Sequence, residues 1–452
     1  MFNKKIGAVL IIGAGIGGIQ TALDLAELGF KVYMVDKYPS IGGIMAKLDK
    51  TFPTNDCSMC ILAPKMVEVS RNPNIELITY SEVVKLEGGA GNFTVTIKKN
   101  PRYVYEDKCK NCGLCAMRCP VRVPNEFNEN LDLRTSIHIP FPQSVPSVYL
   151  IDPENCLHLN NEICMLCEKT CEANAINFNQ KEEFLTLNVG AIVLSFGADL
   201  FDPTILSNYG YSKFSNVITS IEFERILNAS GPFSGHVLRP SDRTIPKKIL
   251  WINCIGSRNK TLNNNYCSSV CCMYSIKEAV IAREHEPSLE CYVMYMDIRS
   301  VGKNFEQYYN RAEHEGIHFI KGRVSNLEED PITQDIIVRY EDFENQKLIE
   351  DRFQLVVLSI GFEPSESTVE FCKRIGINLN KYKFCKTSPF SPLKTNKPGI
   401  FVCGTLSGPK DIPETVAEAS GVAGEVSTLL PVSYTHLRAH ETSLHLVCRL
   451  LL

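Results

Sequence analysis

Apolar residues run without a break from Ala8 to Ile12 and stop at Gly13. A short apolar run bounded by glycine predicts a buried strand of a parallel sheet. Ile19, Ala22, Leu23 and Ala26 then recur at helical spacing, and Lys31 to Asp36 returns to a strand pattern. Strand, turn, helix and strand in that order predict a βαβ unit. The same reading places strands at Ile75–Ile78 and Phe93–Ile97, joined through a Gly88–Gly89 turn, and at Leu185–Leu187 and Ala191–Ser195. Lys248–Ile252 and Leu355–Gly361 read as buried strands of a second doubly wound unit over Lys247–Gly361. Gly399–Thr405 predicts a further strand ending in glycine, followed by a loop and a helix. The fold class is α/β.

The turn after the first strand carries chemistry. Gly13, Gly15 and Gly18 have the G-x-G-x-x-G spacing, with Gly17 between them. The first glycine permits the tight turn, the second lets a pyrophosphate approach the backbone, and the third lets helix and strand pack closely. The helix N-terminus then points free N–H groups at the phosphates. Asp36, with Lys37 beside it, closes the second strand where an acid takes ribose hydroxyls. A second glycine pair, Gly42–Gly43, follows, as in flavoproteins with two dinucleotide-binding domains. The expected ligand is therefore FAD rather than NAD.

Bulk properties narrow the setting. A chain of 452 residues is too long for one core and implies two to four domains. A net charge of −4 gives no basic footprint for nucleic acid, and no apolar run is long enough to span a bilayer. Met1–Lys5 before an apolar run mimics a signal peptide, but the run passes straight into the glycine motif without a cleavage site. A cytoplasmic protein is expected, so its 19 cysteines point to metal ligation rather than disulfides.

Cysteine spacing develops that point. Cys57 and Cys60 form a lone C-x-x-C that reads as a redox dithiol, half a metal site or two packed thiols; no helix start is evident there. Cys109, Cys112, Cys115 and Cys119 before Pro120 reproduce the bacterial ferredoxin run, and Cys156, Cys164, Cys167 and Cys171 supply a second. In two-cluster ferredoxins the fourth cysteine of each run serves the other cluster. One [4Fe–4S] cluster is thus assigned to Cys109, Cys112, Cys115 and Cys171, the other to Cys119, Cys156, Cys164 and Cys167. Structural zinc, with paired C-x-x-C units, fits this spacing poorly. Strand patterns on both sides make the module an insertion in the flavin domain.

In the second unit the turn after Lys248–Ile252 reads Asn253-Cys254-Ile255-Gly256-Ser257-Arg258, without G-x-G-x-x-G. Cys254, Cys267, Cys271 and Cys272 instead gather around a strand end and the start of a helical run through Arg283. Cys267 and Cys271 would share a helix face at a spacing of four. A third [4Fe–4S] cluster in place of a nicotinamide cofactor is the functional reading, and a set of buried small hydrophobes is the bland one.

These motifs resemble the family of flavin-containing iron–sulfur A-subunits of heterodisulfide reductase (CoB–CoM heterodisulfide reductase) over about Ile6–Leu430. The resemblance rests on Asp56–Met66, on the ferredoxin insertion with Ile139–Gln143, on Tyr266–Tyr274 and on Gly408–Thr415. It implies a thioredoxin-reductase-like flavoprotein with two dinucleotide-binding domains and an inserted two-cluster ferredoxin module. The expected divisions are 1–103, 181–243 and 363–430 for the FAD-binding domain, 104–180 for the insertion, and 244–362 for an NADH-domain-like unit carrying a cluster. It also implies FAD, a true cluster at Cys254, Cys267, Cys271 and Cys272, and electron bifurcation or relay.

The partners implied are other heterodisulfide-reductase-type subunits, an electron-donating subunit of the hydrogenase or dehydrogenase kind, and ferredoxin, in a hetero-oligomer. Lys277 and Glu224 are candidates to tune the flavin, the alternative being surface residues on amphipathic helices. Gly404, Thr405 and Asp411 are candidates at the flavin's pyrimidine end. Residues 431–452 match nothing in the family and read as translated adapter sequence, and the chain reads as a fragment of a longer protein. A non-catalytic electron-carrying adaptor and an NAD(P)H-oxidising flavoprotein like the small subunit of glutamate synthase are the rival readings.

Overall fold

The computed structural model of the chain describes residues 5–431; residues 432–452, which belong to the segment read as non-native, lie outside them. Strand β1 (Ala8–Ile12), helix α1 (Ile16–Glu27), strand β2 (Lys31–Val35), helix α2 (Ser58–Arg71) and strand β3 (Ile75–Ile78) open the fold. Strands β4 (Ser81–Gly89), β5 (Asn92–Lys99), β6 (Glu183–Val189) and β7 (Ala191–Leu194) follow. Strand β8 (Val217–Thr219), helix α3 (Ser220–Leu227), strand β9 (Lys248–Ile255) and helix α4 (Cys271–His285) come next. After them come β10 (Glu290–Tyr295), α5 (Phe305–His314), β11 (His318–Glu329), β12 (Ile336–Asp342), β13 (Lys347–Phe353) and β14 (Leu355–Ile360). Strand β15 (Ile400–Val402) and helix α6 (Ile412–Leu429) end the described chain.

The first sheet has the order β15-β7-β1-β2-β3, and its pairings are parallel. Every residue of β1 is buried, because both faces of the sheet are covered. Successive side chains leave a strand on opposite faces. Val9 and Ile11 accordingly join α1, α2 and α6 in one core, while Leu10 and Ile12 face Val95 and Ile97 of the antiparallel sheet β6-β5-β4 in another. Strand β4 went unread in the sequence, and Gly88–Gly89 is its end rather than a turn. Its charged residues face water on a sheet edge, so it lacks a long apolar signature.

Strands β5 and β6 pair from Lys99↔Glu183 onward, so the chain leaves and re-enters the same small sheet at one end of its strands. The cysteine-rich segment between them is built on Val104, Ile137, Val148, Ile151 and Ile176, with cysteines completing its small core.

The second sheet has the order β8-β14-β9-β10-β11-β12-β13. Strand β8 comes from the segment read as flavin domain, yet it pairs with β14. Ile249 and Trp251 of β9 face α4, and Leu250 and Ile252 face Val338 and Tyr340. Trp251 is the sole tryptophan and is fully buried, with the Phe223 ring edge-on at 5.3 Å.

Phe223→Ala empties this contact and is expected to cost about 3–5 kcal/mol, read as a lower urea midpoint by Trp251 fluorescence. Glu222, the acceptor in the box that caps α3, offers a pH test. Its Oε2 accepts from Thr219 N at 2.6 Å, and burial pushes its carboxyl up to about 7 from 4.5. The folded chain keeps this proton where the unfolded chain loses it. The contribution is thus full below about pH 4.5 and is lost, by at most about 3 kcal/mol, as pH rises to about 7. Urea midpoints between pH 5 and pH 8 are expected to fall less in Glu222→Gln than in the parent.

Candidate functional site

Three groups of residues hold the candidate chemistry, and the fold positions the first and the third at strand ends. At the end of β1, Gly13 turns at φ +104°, and a Cβ there would lie 2.3 Å from the Ser195 carbonyl oxygen. A Cβ on Gly18 would lie 2.0 Å from the Gly13 carbonyl oxygen, whereas one on Gly15 would meet nothing within 4 Å. Gly13 and Gly18 are therefore demanded by backbone contact, and Gly15 faces open space. No side chain caps α1, and no acidic residue sits in its first turn, which leaves its N–H groups free for an anion.

Asp36 anchors the turn. Its Oδ2 accepts from Ala14 N at 2.6 Å and its Oδ1 from Tyr38 N at 2.8 Å. Burial pushes its carboxyl above the ordinary range, and these donors oppose that shift. Each carboxylate oxygen keeps a lone pair for a sugar hydroxyl. Lys37 is exposed beside it. Gly42 and Gly43 both have positive φ, and Gly43 passes against Gly15, where a Cβ would come 3.0 Å from its Cα. Gly17 backs onto Ser195 and Thr415. Gly404 and Thr405 begin a short turn after β15, with Gly404 N donating to Glu418 Oε2 at 2.9 Å. Asp411 caps α6 by accepting from Glu414 N at 2.8 Å, so its side chain has a structural task. A dinucleotide's pyrophosphate fits the open cradle at Gly15.

The inserted segment forms the second group. Burial pushes the Cys115 thiol up to about 12, and the thiols of Cys109, Cys112 and Cys171 beside it act in the same direction. Burial likewise pushes Cys167 up to about 12, with Cys156, Cys115 and Cys119 as thiol neighbours. Cys171 is thus a neighbour of Cys115 in the first run, while Cys167 of the second run has Cys115 and Cys119 beside it, so the two runs lie against one another. Cys164 is half-buried in the same segment. Among the described residues, no three metal-binding side chains converge on one ion. Thiols are nevertheless the donor set of an iron–sulfur cluster, and these residues fit one.

At the end of β9 lies the third group. Cys254 sits in the left-handed region at φ +66° where the register of β9 against β14 shifts. Helix α4 starts at Cys271, so Cys267 precedes it; the shared helix face expected for that pair is not present. The loop delivers Cys267 instead, with its Sγ accepting from Ser269 N at 3.3 Å. Burial pushes Cys271 well above the ordinary thiol range, and Cys254, Cys272 and Cys267 add to it. Cys271 and Cys272 are buried. Arg258 reaches toward Cys254 Sγ at 4.0 Å and pairs with Asp297. Cys254, Cys267 and Cys272 are thus neighbours of Cys271, and Cys254 also lines a cleft with Tyr209, Gly256, Arg258, Met294 and Arg323.

Lys277 and Glu224 form an ion pair with both side chains 2% exposed. The surface alternative is therefore excluded, and Glu224 belongs to the helix that follows β8 of the second sheet. Two acids escaped the sequence reading. Asp49 N donates to Glu224 Oε2 at 2.9 Å, and Glu278 Oε2 accepts from Trp251 Nε1 at 2.8 Å. Burial, helped by the Glu224 charge, raises both the Asp49 and Glu278 carboxyls. The available signal was Lys277-Glu278 standing inside an otherwise apolar stretch of α4.

The C-x-x-C also reads differently in three dimensions. Cys57 caps α2, Cys60 lies in its first turn, and the two are joined as a disulfide. A helix start is present after all. It was hidden because the cap is a cysteine rather than Ser, Thr, Asp or Asn.

Comparison with known proteins agrees with this anatomy. Residues 7–112 match the family described as pyridine nucleotide-disulphide oxidoreductase, and residues 102–125 match a 4Fe-4S binding domain. Thioredoxin reductase of T. acidophilum superposes with a TM-score of 0.52 at 13% identity, covering 93% of this chain and 98% of that one. The Lactococcus lactis enzyme gives 0.51 at 14%, covering 94% and 99%. Those likenesses define the class: a thioredoxin-reductase-like α/β fold that carries a 4Fe-4S segment.

Within it, the chain is 49% identical over 421 residues to the iron–sulfur A-subunit of the CoB–CoM heterodisulfide reductase of Methanocaldococcus jannaschii, covering 92% of this chain and 63% of that protein. It is 50% identical over 424 residues to A-subunit 2 of the Methanopyrus kandleri enzyme, covering 93% and 64%. It is 48% identical over 427 residues to the A-subunit of the H(2)/formate:CoB-CoM heterodisulfide,ferredoxin reductase of Methanococcus maripaludis, covering 94% and 64%. The chain is a homologue of the heterodisulfide reductase A-subunit over the region they share, and it spans less than two thirds of the length of these relatives.

Lys277→Met strands the Glu224 carboxylate and is expected to cost about 3–5 kcal/mol, of which adding Glu224→Gln restores part. Urea unfolding of the single and double variants checks this, and a single-variant loss under about 1 kcal/mol contradicts it.

Proposed function

We propose that the chain is an FAD and iron–sulfur electron-transfer unit of a heterodisulfide-reductase-like oxidoreductase complex. It would relay or divide electrons between a two-electron donor, ferredoxin and a disulfide-reducing partner subunit. Support for the class of chemistry comes from the 4Fe-4S match and from the names of the relatives, which include ferredoxin and formate. The observation that supports the reading is that Cys254, Cys267 and Cys272 are neighbours of Cys271 near the end of β9. In a second dinucleotide unit that position belongs to a cofactor phosphate, and this turn lacks the glycines that would admit one.

The cofactors supply the chemistry: flavin exchanges one or two electrons and the clusters one at a time. The chain's residues hold and insulate them. Gly13, Gly15, Gly18 and the start of α1 would take the FAD pyrophosphate, and Asp36 the ribose. Cys109, Cys112, Cys115 and Cys171 would hold one [4Fe–4S] cluster, and Cys119, Cys156, Cys164 and Cys167 the next. Cys254, Cys267, Cys271 and Cys272 would hold a third, and burial of Cys271 and Cys272 would keep water from it. The Glu224–Lys277 pair holds fixed opposite charges in a dry setting, where they set the local field more strongly than they would in water. No helix of the described residues is long and apolar enough to cross a membrane.

Anaerobic reconstitution tests the reading. Cys271→Ala is expected to lose one four-iron cluster per chain, to keep its flavin, and to leave both ferredoxin-type clusters in the electron paramagnetic resonance spectrum. An unchanged iron count, or rapid bleaching of the flavin by NADH alone, would point to a plain pyridine-nucleotide reductase.

A further inference from the structure

The disulfide between Cys57 and Cys60 has no part in the proposed electron-transfer role. Among the described cysteines it is the only bonded pair, and the other sixteen are free. As a staple it has little to offer. It closes a loop of three residue steps inside a segment already held by backbone hydrogen bonds, and so short a loop has little chain entropy to remove. Ser58 N donates to Asp49 O at 2.9 Å, Thr51 N to Asp56 O at 2.8 Å, and the buried Ser58 hydroxyl to Met45 O at 2.7 Å. The segment keeps its shape without the sulfur–sulfur bond.

Its position suits reactivity instead. Both cysteines are exposed. Cys57 caps the fourteen-residue helix α2, whose first turn carries no acidic residue, and its Sγ accepts the Cys60 N–H at 3.2 Å. A sulfur at a helix N-terminus that accepts a backbone N–H is stabilised as a thiolate. Asp56 next to it is the opposing charge, and Lys50, backbone-paired with Cys57, is the favourable one. The loop bearing the pair is seated on the second unit: Tyr308 donates its hydroxyl to Asn55 Oδ1 at 2.7 Å, and Phe52 packs edge-on to Phe305 at 5.4 Å. The disulfide is thus exposed a few residues along from the contacts that seat this loop on the second unit.

We propose that Cys57 and Cys60 form a separate two-electron redox site that opens and closes by thiol–disulfide exchange with an external dithiol, small or protein-borne. The external thiolate attacks Cys60 Sγ. The Cys57–Cys60 bond breaks, and the Cys57 sulfur leaves as the thiolate the helix start stabilises, because the sulfur with the lower pKa is the better leaving group. The second external thiol then attacks the external sulfur of the mixed disulfide and releases Cys60. The external dithiol is oxidised to a disulfide, the pair is reduced, and the two external thiol protons end on Cys57 and Cys60. Iron takes no part in these steps.

The test uses the whole chain with flavin and clusters in place, held anaerobically in graded ratios of reduced to oxidised dithiothreitol. The chain is alkylated with iodoacetamide and digested, and the peptide carrying both cysteines is weighed. The expected result is an all-or-none passage from a peptide with no label to one with two, reversed by oxidised dithiothreitol. Three results overturn the proposal: two labels even in oxidised dithiothreitol, no label until urea unfolds the chain, or loss of one cluster's iron in the Cys57→Ser, Cys60→Ser double variant. That last result would make the pair metal ligands. The labelling itself needs no variant. For the direction of attack, the pH midpoint of alkylation in Cys60→Ser, which retains Cys57, is expected below that in Cys57→Ser. The reverse order overturns the assignment of Cys60 as the attacked sulfur.

Discussion

Everything in this molecule meets at one short helix, Ser220–Leu227, and at the buried charge pair it brings to Lys277. All eight of its residues are buried, so its charged side chains cannot turn to water for solvation. Glu224 pairs with Lys277 and accepts from Asp49 N of the flavin unit. The neighbouring Arg225 donates to Lys47 O, again in the flavin unit, and to Asn128 Oδ1 in the inserted segment, both at 3.0 Å. Taking such charges out of water costs several kcal/mol each, recovered only when every partner is in place. A contact of that kind is not a general adhesive. It requires the flavin unit, the insertion and the second unit to sit in one relation, and displacement of any one strands a charge.

That geometric demand suits an electron carrier. Transfer among several centres depends on fixed spacing and orientation, and the protein's contribution is to hold the cofactors rather than to perform their chemistry. Lys277 lies on the helix that begins with Cys271 and Cys272, so the charge pair and two of the candidate ligands share one element. Asp49 Oδ2 and Glu278 Oε1 are buried without a hydrogen-bond partner among the described residues. Burial raises both carboxyls toward the neutral form, which removes the cost of two more anions beside Glu224.

How much of this was legible depended on whether the signal was local. The β1 turn was readable because its constraints act within a few residues: Gly18 must pass the Gly13 carbonyl, and no other residue fits. The first cysteine run, which lies in the 4Fe-4S match at residues 102–125, was readable because ligand spacing is set by the cluster and not by the rest of the fold. Strand β4 was missed because an edge strand buries only one face. The start of α2 was missed because its cap is a cysteine engaged with its neighbour. The spacing of four puts Cys267 and Cys271 on one helix face, whereas α4 begins only at Cys271 and a loop makes the approach.

By itself, then, the amino-acid order determined the dinucleotide turn, the α/β class, the interruption of the flavin domain by a cysteine-rich module, and the absence of a second glycine fingerprint. Each is written in contiguous or regularly spaced residues, where backbone sterics and hydrophobic period act directly. Tertiary structure alone decided that Lys277 and Glu224 are a dry ion pair, that Asp49 and Glu278 crowd it, that β8 serves the second sheet, and that Cys57 and Cys60 meet as a disulfide at a helix start. The reason is that burial and pairing belong to residues far apart along the chain: Glu224 and Lys277 are 53 positions apart. Only the packed arrangement removes the water that would otherwise make such charges ordinary.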